Sequence, residues 1–115
     1  MRIVLPYPHR VLWPNGRTKV AAYRNSLFQQ HKEWAYYAAK AQGAFPEHAN
    51  TVPIRIIVHP KPRGPHPDKD GVIGACKAYL DGISKAIGIN DRYFAAPLVE
   101  FADTRTGEFV IEVGE

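Results

Sequence analysis

The residues best equipped for chemistry lie between His59 and Phe94, in HPKPRGPHPDKDGVIGACKAYLDGISKAIGINDRYF. Two aspartates one residue apart, Asp68 and Asp70, follow a loop rich in proline and cations, and a third, Asp91, follows a helix-like segment. In extended chain, residues i and i+2 point to the same side, so both carboxylates of the D-x-D pair can face one point. A single aspartate there would serve mostly as a helix cap, and Asp70 is well placed for that role. A closely spaced pair beside Lys61, Arg63 and Lys69 asks for a ligand. Magnesium prefers hard carboxylate oxygens and completes its shell with water and substrate phosphate. Asp68, Asp70 and Asp91 therefore fit a metal-assisted phosphodiester hydrolase, in which the metal activates water and offsets charge on the scissile phosphate.

The helix after the pair carries two stripes. Ile73, Cys76, Leu80, Ile83 and Ile87 recur at spacings of three and four and predict a buried face, on which Cys76 is a core filler. Asp70, Gly74, Lys77, Asp81 and Lys85 share another face. Lys77 lies seven residues beyond Asp70, about 10 Å along an ideal helix, and its side chain leans back toward the helix start. There it would neutralise a phosphate or a developing leaving-group charge. From spacing alone, Lys77, Asp81 and Lys85 equally form a surface ladder worth a few tenths of a kcal/mol.

The elements that position these groups follow from pattern. Arg2 to Leu5 reads as a short strand stopped by Pro6 and Pro8. Pro6 to Thr18 reads as a loop with a turn at Pro14-Asn15-Gly16, carrying Arg10, Arg17 and Trp13. Trp13 suits either a phosphate-backbone contact or the edge of the core. Thr18 is placed to cap a helix from Lys19 to Gln42, with Val20, Tyr23, Leu27, Trp34 and Ala38 as its core face and Gly43 and Pro46 as its stop. Its aromatic residues read as packing rather than base-stacking groups. In Thr51 to Val58, Ile54, Ile56 and Val58 share one strand face. Leu98 to Ala102 and Glu108 to Val113 read as two further strands with a hairpin-like link. The order β-α-β-α-β-β predicts one α+β domain over residues 1–115, with two helices on one face of a small mixed sheet.

Composition narrows the setting. The 115-residue chain can bury a core without disulfides, and its single cysteine excludes an intrachain disulfide or a multi-cysteine zinc site. No apolar run approaches the ~20 residues that span a bilayer, and MRIVLPYPHR is too short and proline-broken for a signal peptide. The expected setting is reducing and cytoplasmic, with no membrane partner. Residues 1–92 carry 14 Lys/Arg against 6 Asp/Glu, a balance of +8, while residues 93–115 carry −4. A basic body points to a polyanion or is simply solvated. Arg10, Arg17, Lys61, Arg63 and Lys69 are the candidate DNA-backbone contacts; such contacts position a duplex without reading its sequence. His66 lies two residues before Asp68, although loop histidines are mostly solvated. His9, His31, His48 and His59 form no zinc pattern, and no glycine-rich loop signals a nucleotide cofactor.

The pattern P-DKD-…-CKAYLDGISKAIGIND-RYF, with LPYP and GRTKVAAYR before it, resembles the RusA family of Holliday junction resolvases, including its phage-borne branches, over most of the chain. By that resemblance Asp68 and Asp70 match the family's paired aspartates. Lys77 matches the lysine four residues before the helix aspartate, here Asp81, and Asp91 matches the third carboxylate. The chain departs from the family at Gly71, where Asn is common, and in a longer interval from Asp70 to Lys77. The resemblance implies a homodimeric, magnesium-dependent endonuclease, with manganese as a substitute, that cuts four-way DNA junctions by paired nicks in recombination and repair. Two sites related by a dyad would meet two symmetry-related strands. A DNA-binding module without catalysis and a less structure-selective nuclease are the alternatives.

Overall fold

Alternating apolar residues make the strands, and their register places one apolar face together. The computed structural model describes residues 1–16, 18–45 and 51–114, so Arg17, Pro46 and His48 lie outside the described residues. The chain folds as α+β: β1 (Arg2–Pro6), α1 (Ala21–Lys40), β2 (Ile54–His59), α2 (Lys69–Ala75), α3 (Lys77–Ile87), β3 (Leu98–Phe101) and β4 (Glu108–Val113), with 3-10 turns at Arg10–Leu12 and Asp91–Tyr93. The mixed sheet has the order β1-β4-β2-β3, in which only the β2–β3 pair is parallel. Ile3 pairs with Ile111, Ile111 with Ile56, and Ile56 with Val99, so these residues share one face. That face joins Val72, Cys76, Tyr79 and Ile83 of the helical layer in one buried core. Among the described residues no helix is long and apolar enough to cross a membrane.

The expected hairpin between the last two strands does not form. β2 lies between β3 and β4, and the connection crosses the end of β2 instead. The Ala102 N–H donates to the Val58 carbonyl and the Gly107 N–H to the Pro60 carbonyl, with Gly107 at φ +75°. Turn residues report a reversal of the chain, but they carry no information about a third strand entering the gap. β4 takes a central place with one apolar face, on which Phe109, Ile111 and Val113 are buried, and one mixed face, on which Val110 is buried between Glu108 and Glu112.

The opposite sheet face carries an ion-pair chain rather than helices. Arg55 meets Glu100 at 2.9 Å and Glu112 at 3.0 Å, and Glu112 also meets Arg2 at 4.0 Å. Part of the acidic C-terminal balance is therefore used against two cations of the basic body. Exposed pairs of this kind contribute roughly 0–1 kcal/mol each.

The core face of α1 is rotated from the expected one. His31, Ala35 and Ala39 are buried, whereas Val20, Tyr23 and Trp34 are exposed. The helix begins at Ala21 with Val20 at the cap position, and Thr18 accepts only from the Val20 N–H, at 3.2 Å. Small residues win the buried face because α1 crosses α3 at close range. A Cβ on Gly82 would lie 2.1 Å from the Lys32 carbonyl oxygen and 3.1 Å from the Ala35 Cβ. His31 sits in this layer with a defined tautomer: Nδ1 donates to the Leu27 carbonyl at 2.8 Å, and Nε2 accepts from the His9 N–H at 3.1 Å. Substituting Gly82→Ala should destabilise the fold by about 1–3 kcal/mol through forced separation of the two helices. Urea unfolding measures it, and an unchanged midpoint would refute the close crossing.

Candidate active site

The chain enters α2 through Pro67 and Asp68. Asp68 has extended backbone (φ −79°, ψ 161°) and is the N-cap, its Oδ1 accepting from the Gly71 N–H at 2.5 Å. Asp68, not Asp70, thus takes the capping role, while Asp70 lies exposed in the first turn. Gly71 lies close beneath this cap: a Cβ there would be 2.7 Å from Asp68 Oδ1, so a side chain at 71 would make the capping carboxylate shift. Gly74 is required by the N-terminal loop, since its Cβ would meet Pro14 Cγ at 2.5 Å. The two glycines let Trp13 and Pro14 lie directly on α2. Between that loop and Asp68 and Asp70 lies a cleft of about 300 Å³.

The long interval from Asp70 to Lys77 has a structural counterpart. The single predicted helix is two, meeting at Cys76 in the bridge region (φ −86°, ψ 0°). The Cys76 N–H is shared between the Val72 and Ile73 carbonyls, at 3.0 and 3.2 Å. Cys76 itself is fully buried, and burial pushes its thiol far above the ordinary range, so it is chemically inert. The buried helical stripe runs through Val72, Cys76, Tyr79 and Ile83, with Ile73, Leu80 and Ile87 only half-buried. Lys77 becomes the first residue of α3 and is exposed.

α3 ends at Gly88, whose left-handed conformation (φ 72°) reverses the chain, and Ser84 Oγ donates to the Ile89 carbonyl at 2.6 Å. Asn90 then caps the next turn through its side chain, accepting from the Arg92 N–H at 3.0 Å. This assignment leaves Asp91 as the carboxylate directed at α3. Lys77, Asp81 and Asp91 line a second cleft of about 330 Å³, walled by Leu80, Phe94 and Pro97. Asp81 is hydrogen-bonded to Asp91, and its carboxyl is held above its ordinary value of 3.8. Partial burial is the main cause, followed by the charge and hydrogen bond of Asp91, against the opposing pull of Lys32 and Lys77.

The candidate residues therefore occupy two clefts flanking α2. Asp68 and Asp70 line one; Lys77 and Asp91 line the other and are joined there by Asp81, which spacing alone had left in a surface ladder. Among the described residues no three His, Cys, Asp or Glu side chains converge as a ready metal cluster. The candidate DNA contacts Arg10, Lys61, Arg63 and Lys69 are all exposed, and Arg17 lies outside the described residues. Lys61 Nζ stands 5.0 Å from the Tyr7 ring, which stacks on Trp13. His66 packs against Phe101. Arg105 is a positioning residue with no local sequence signal: it donates to the carbonyls of Lys61 at 2.8 Å and Gly64 at 2.6 Å, fastening the basic loop.

No protein-family model matches this chain. An uncharacterized protein of Xylella fastidiosa is 31% identical over 116 residues, covering 96% of this chain and 74% of that protein. The chain belongs to that protein's family.

The Asp81–Asp91 pair makes a testable demand on stability. Raising the carboxyl's value means that the folded state holds a proton the unfolded chain has already released. The associated stability is fully present below pH ~3.8 and is lost as pH rises through the folded-state value. Asp81→Asn should therefore stabilise the protein at pH 7, by roughly 0.5–1 kcal/mol after solvent screening, and have little effect at pH 3.5. Calorimetry of both proteins at the two pH values checks the sign.

Proposed function

We propose that this protein is a metal-dependent endodeoxyribonuclease of RusA type that resolves four-way DNA junctions by paired nicks, acting as a homodimer. The observation that carries the reading is the meeting of Lys77 and Asp81 of α3 with Asp91 of the following turn in one cleft, with Asp68 and Asp70 at the other side of α2. Four carboxylates flanking one helix within a basic body are chemically suited to a phosphodiester and its counter-ion.

The donor set fits magnesium, which is usually held by one or two carboxylates and completed by water and phosphate, so a preformed three-carboxylate cage is not needed. The proximity of the Asp81 and Asp91 carboxylates supports this, because a divalent cation would offset both the partial burial that chiefly raises Asp81 and the lesser contribution of Asp91. The Asp68–Asp70 pair on one side of α2, or the Asp81–Asp91 pair on the other, would hold the ion; when bound, it would supply an activated water and neutralise the phosphate. The chain's own groups do the remainder. Lys77 offsets charge on the phosphate or leaving oxygen. Asp81 keeps Asp91 oriented through their hydrogen bond. Lys61, Arg63, Lys69 and Arg10 hold the backbone without reading sequence, and Arg105 keeps the loop bearing Lys61 and Arg63 in place.

Asp68's engagement as a helix cap favours a second reading, in which the carboxylates are structural and the chain binds branched DNA without cutting it. A synthetic four-way junction separates the two. Under the first reading the wild type nicks two symmetric strands in magnesium, with manganese substituting. Asp70→Asn and Lys77→Ala should each lower cutting at least a hundredfold while leaving junction binding within about threefold. Tight, steeply salt-dependent binding with no cleavage in either metal would establish the second reading. Equal cutting of linear duplex would identify a less selective nuclease.

A further inference from the structure

Phosphodiester chemistry makes no use of an aromatic floor, yet the cleft beside Asp68 and Asp70 has one. Trp13 is fixed there from several sides. Its Nε1 donates to the Pro8 carbonyl at 3.1 Å, its ring stacks on Tyr7 at 5.3 Å and 23°, and its edge meets Phe109 at 6.1 Å. Despite this anchoring the indole remains partly exposed. Gly71 adds no side chain beside the six-membered ring, where a Cβ would stand in ordinary van der Waals contact at 3.5 Å. Pro14 and Pro67 supply further flat apolar surface, and the Asn15 amide lies with the two aspartates in the lining. On the far side of Tyr7 stands the Lys61 ammonium.

An immobilised, half-exposed indole, proline walls and polar groups beside them describe a receptor for a flat heteroaromatic ring with polar edges. The Lys61 ammonium, 5.0 Å from the Tyr7 ring on which Trp13 stacks, suits the phosphate attached to it. We propose that this cleft is a nucleobase slot, in which an unpaired base of the DNA stacks on Trp13. The inference rests on the reading of DNA as the substrate and deepens it: the fold takes hold of a base beside the carboxylates, in addition to the backbone. Base–aromatic stacking is tolerant of sequence because every base has a π face, so the slot selects unpaired over paired nucleotides. A continuous duplex keeps its bases stacked on one another, whereas the crossover of a four-way junction offers bases that leave the stack at low cost. The slot therefore contributes to preference for branched DNA without any base-specific contact.

The test measures junction binding in EDTA, where no cutting occurs, with single abasic sites walked across the crossover. Wild-type protein should lose roughly 5- to 150-fold in affinity when the slot's nucleotide is abasic, and little at neighbouring positions. Trp13→Ala should bind intact and abasic junctions equally, and Trp13→Phe should restore part of the difference. A merely structural Trp13 would weaken both junctions in parallel and leave the abasic difference unchanged. If Trp13→Ala fails to fold, Trp13→Leu, which keeps bulk without a π face, takes its place. An abasic difference that survives in these variants, or none in the wild type despite tight junction binding, overturns the slot alone. Absence of DNA binding by the wild type overturns both the slot and the nuclease reading.

Discussion

The close crossing of α1 and α3 is the constraint on which the other parts depend. Gly82 lies so near the Lys32 carbonyl that no side chain fits between the helices, and Ala35 and Ala39 complete a buried face of small residues on α1. This approach holds α3 against the sheet through Tyr79 and Ile83, and Tyr79 reaches beyond the core to donate to the Pro6 carbonyl at 2.7 Å. The N-terminal loop begins at that carbonyl, so the helix that carries Lys77 and Asp81 also fixes the start of the loop that carries Trp13. Backbone contact between helices gives a stiffer reference than side-chain packing, because there is no rotamer freedom to absorb a shift.

A second pair of glycines works on the same principle at the candidate site. Gly71 admits the Asp68 cap and Gly74 admits Pro14, so the loop lies on α2 without an intervening layer. The helix break at Cys76 then separates what a continuous helix would have strung along one stripe. Asp68 and Asp70 face the N-terminal loop, while Lys77 and Asp81 face the turn after α3. The family resemblance differs at Gly71 and in the length of this interval, and both departures are used structurally. The interval from Asp70 to Lys77 holds the junction between two helices, and the glycine lies close beneath the Asp68 cap.

Charge is distributed unevenly for a physical reason. Arg2 and Arg55 are engaged by Glu112 and Glu100 on the helix-free sheet face. Arg10, Lys61, Arg63 and Lys69 stay exposed around the N-terminal and basic loops. An overall excess of four positive charges is therefore a poor guide to the local potential: the two clefts are lined by four aspartates and Lys77, while the exposed cations lie on the loops around them.

Hydrophobic alternation and glycine or proline stops are local, so the strands and the position of the first helix are legible in the sequence, whereas the break between α2 and α3 at Cys76 is not. β1, β2, β4 and the length of α1 all follow from such patterns, as does the D-x-D at a loop-to-helix junction. Sequence points to Asp70 as the cap, whereas the structure gives that role to Asp68, whose extended backbone sets it one residue before the helix. The core face of α1 is not legible from residue size, because only the close approach of α3 makes small residues necessary at Ala35 and Ala39. The hairpin failed because β2 enters between β3 and β4 from a distant part of the chain. Tertiary structure alone decided that Asp81 and Asp91 share a cleft, that Arg105 fastens the basic loop, and that Trp13 floors the space beside Asp68 and Asp70. Each of these depends on contacts between residues far apart in sequence, and such contacts leave no periodicity behind.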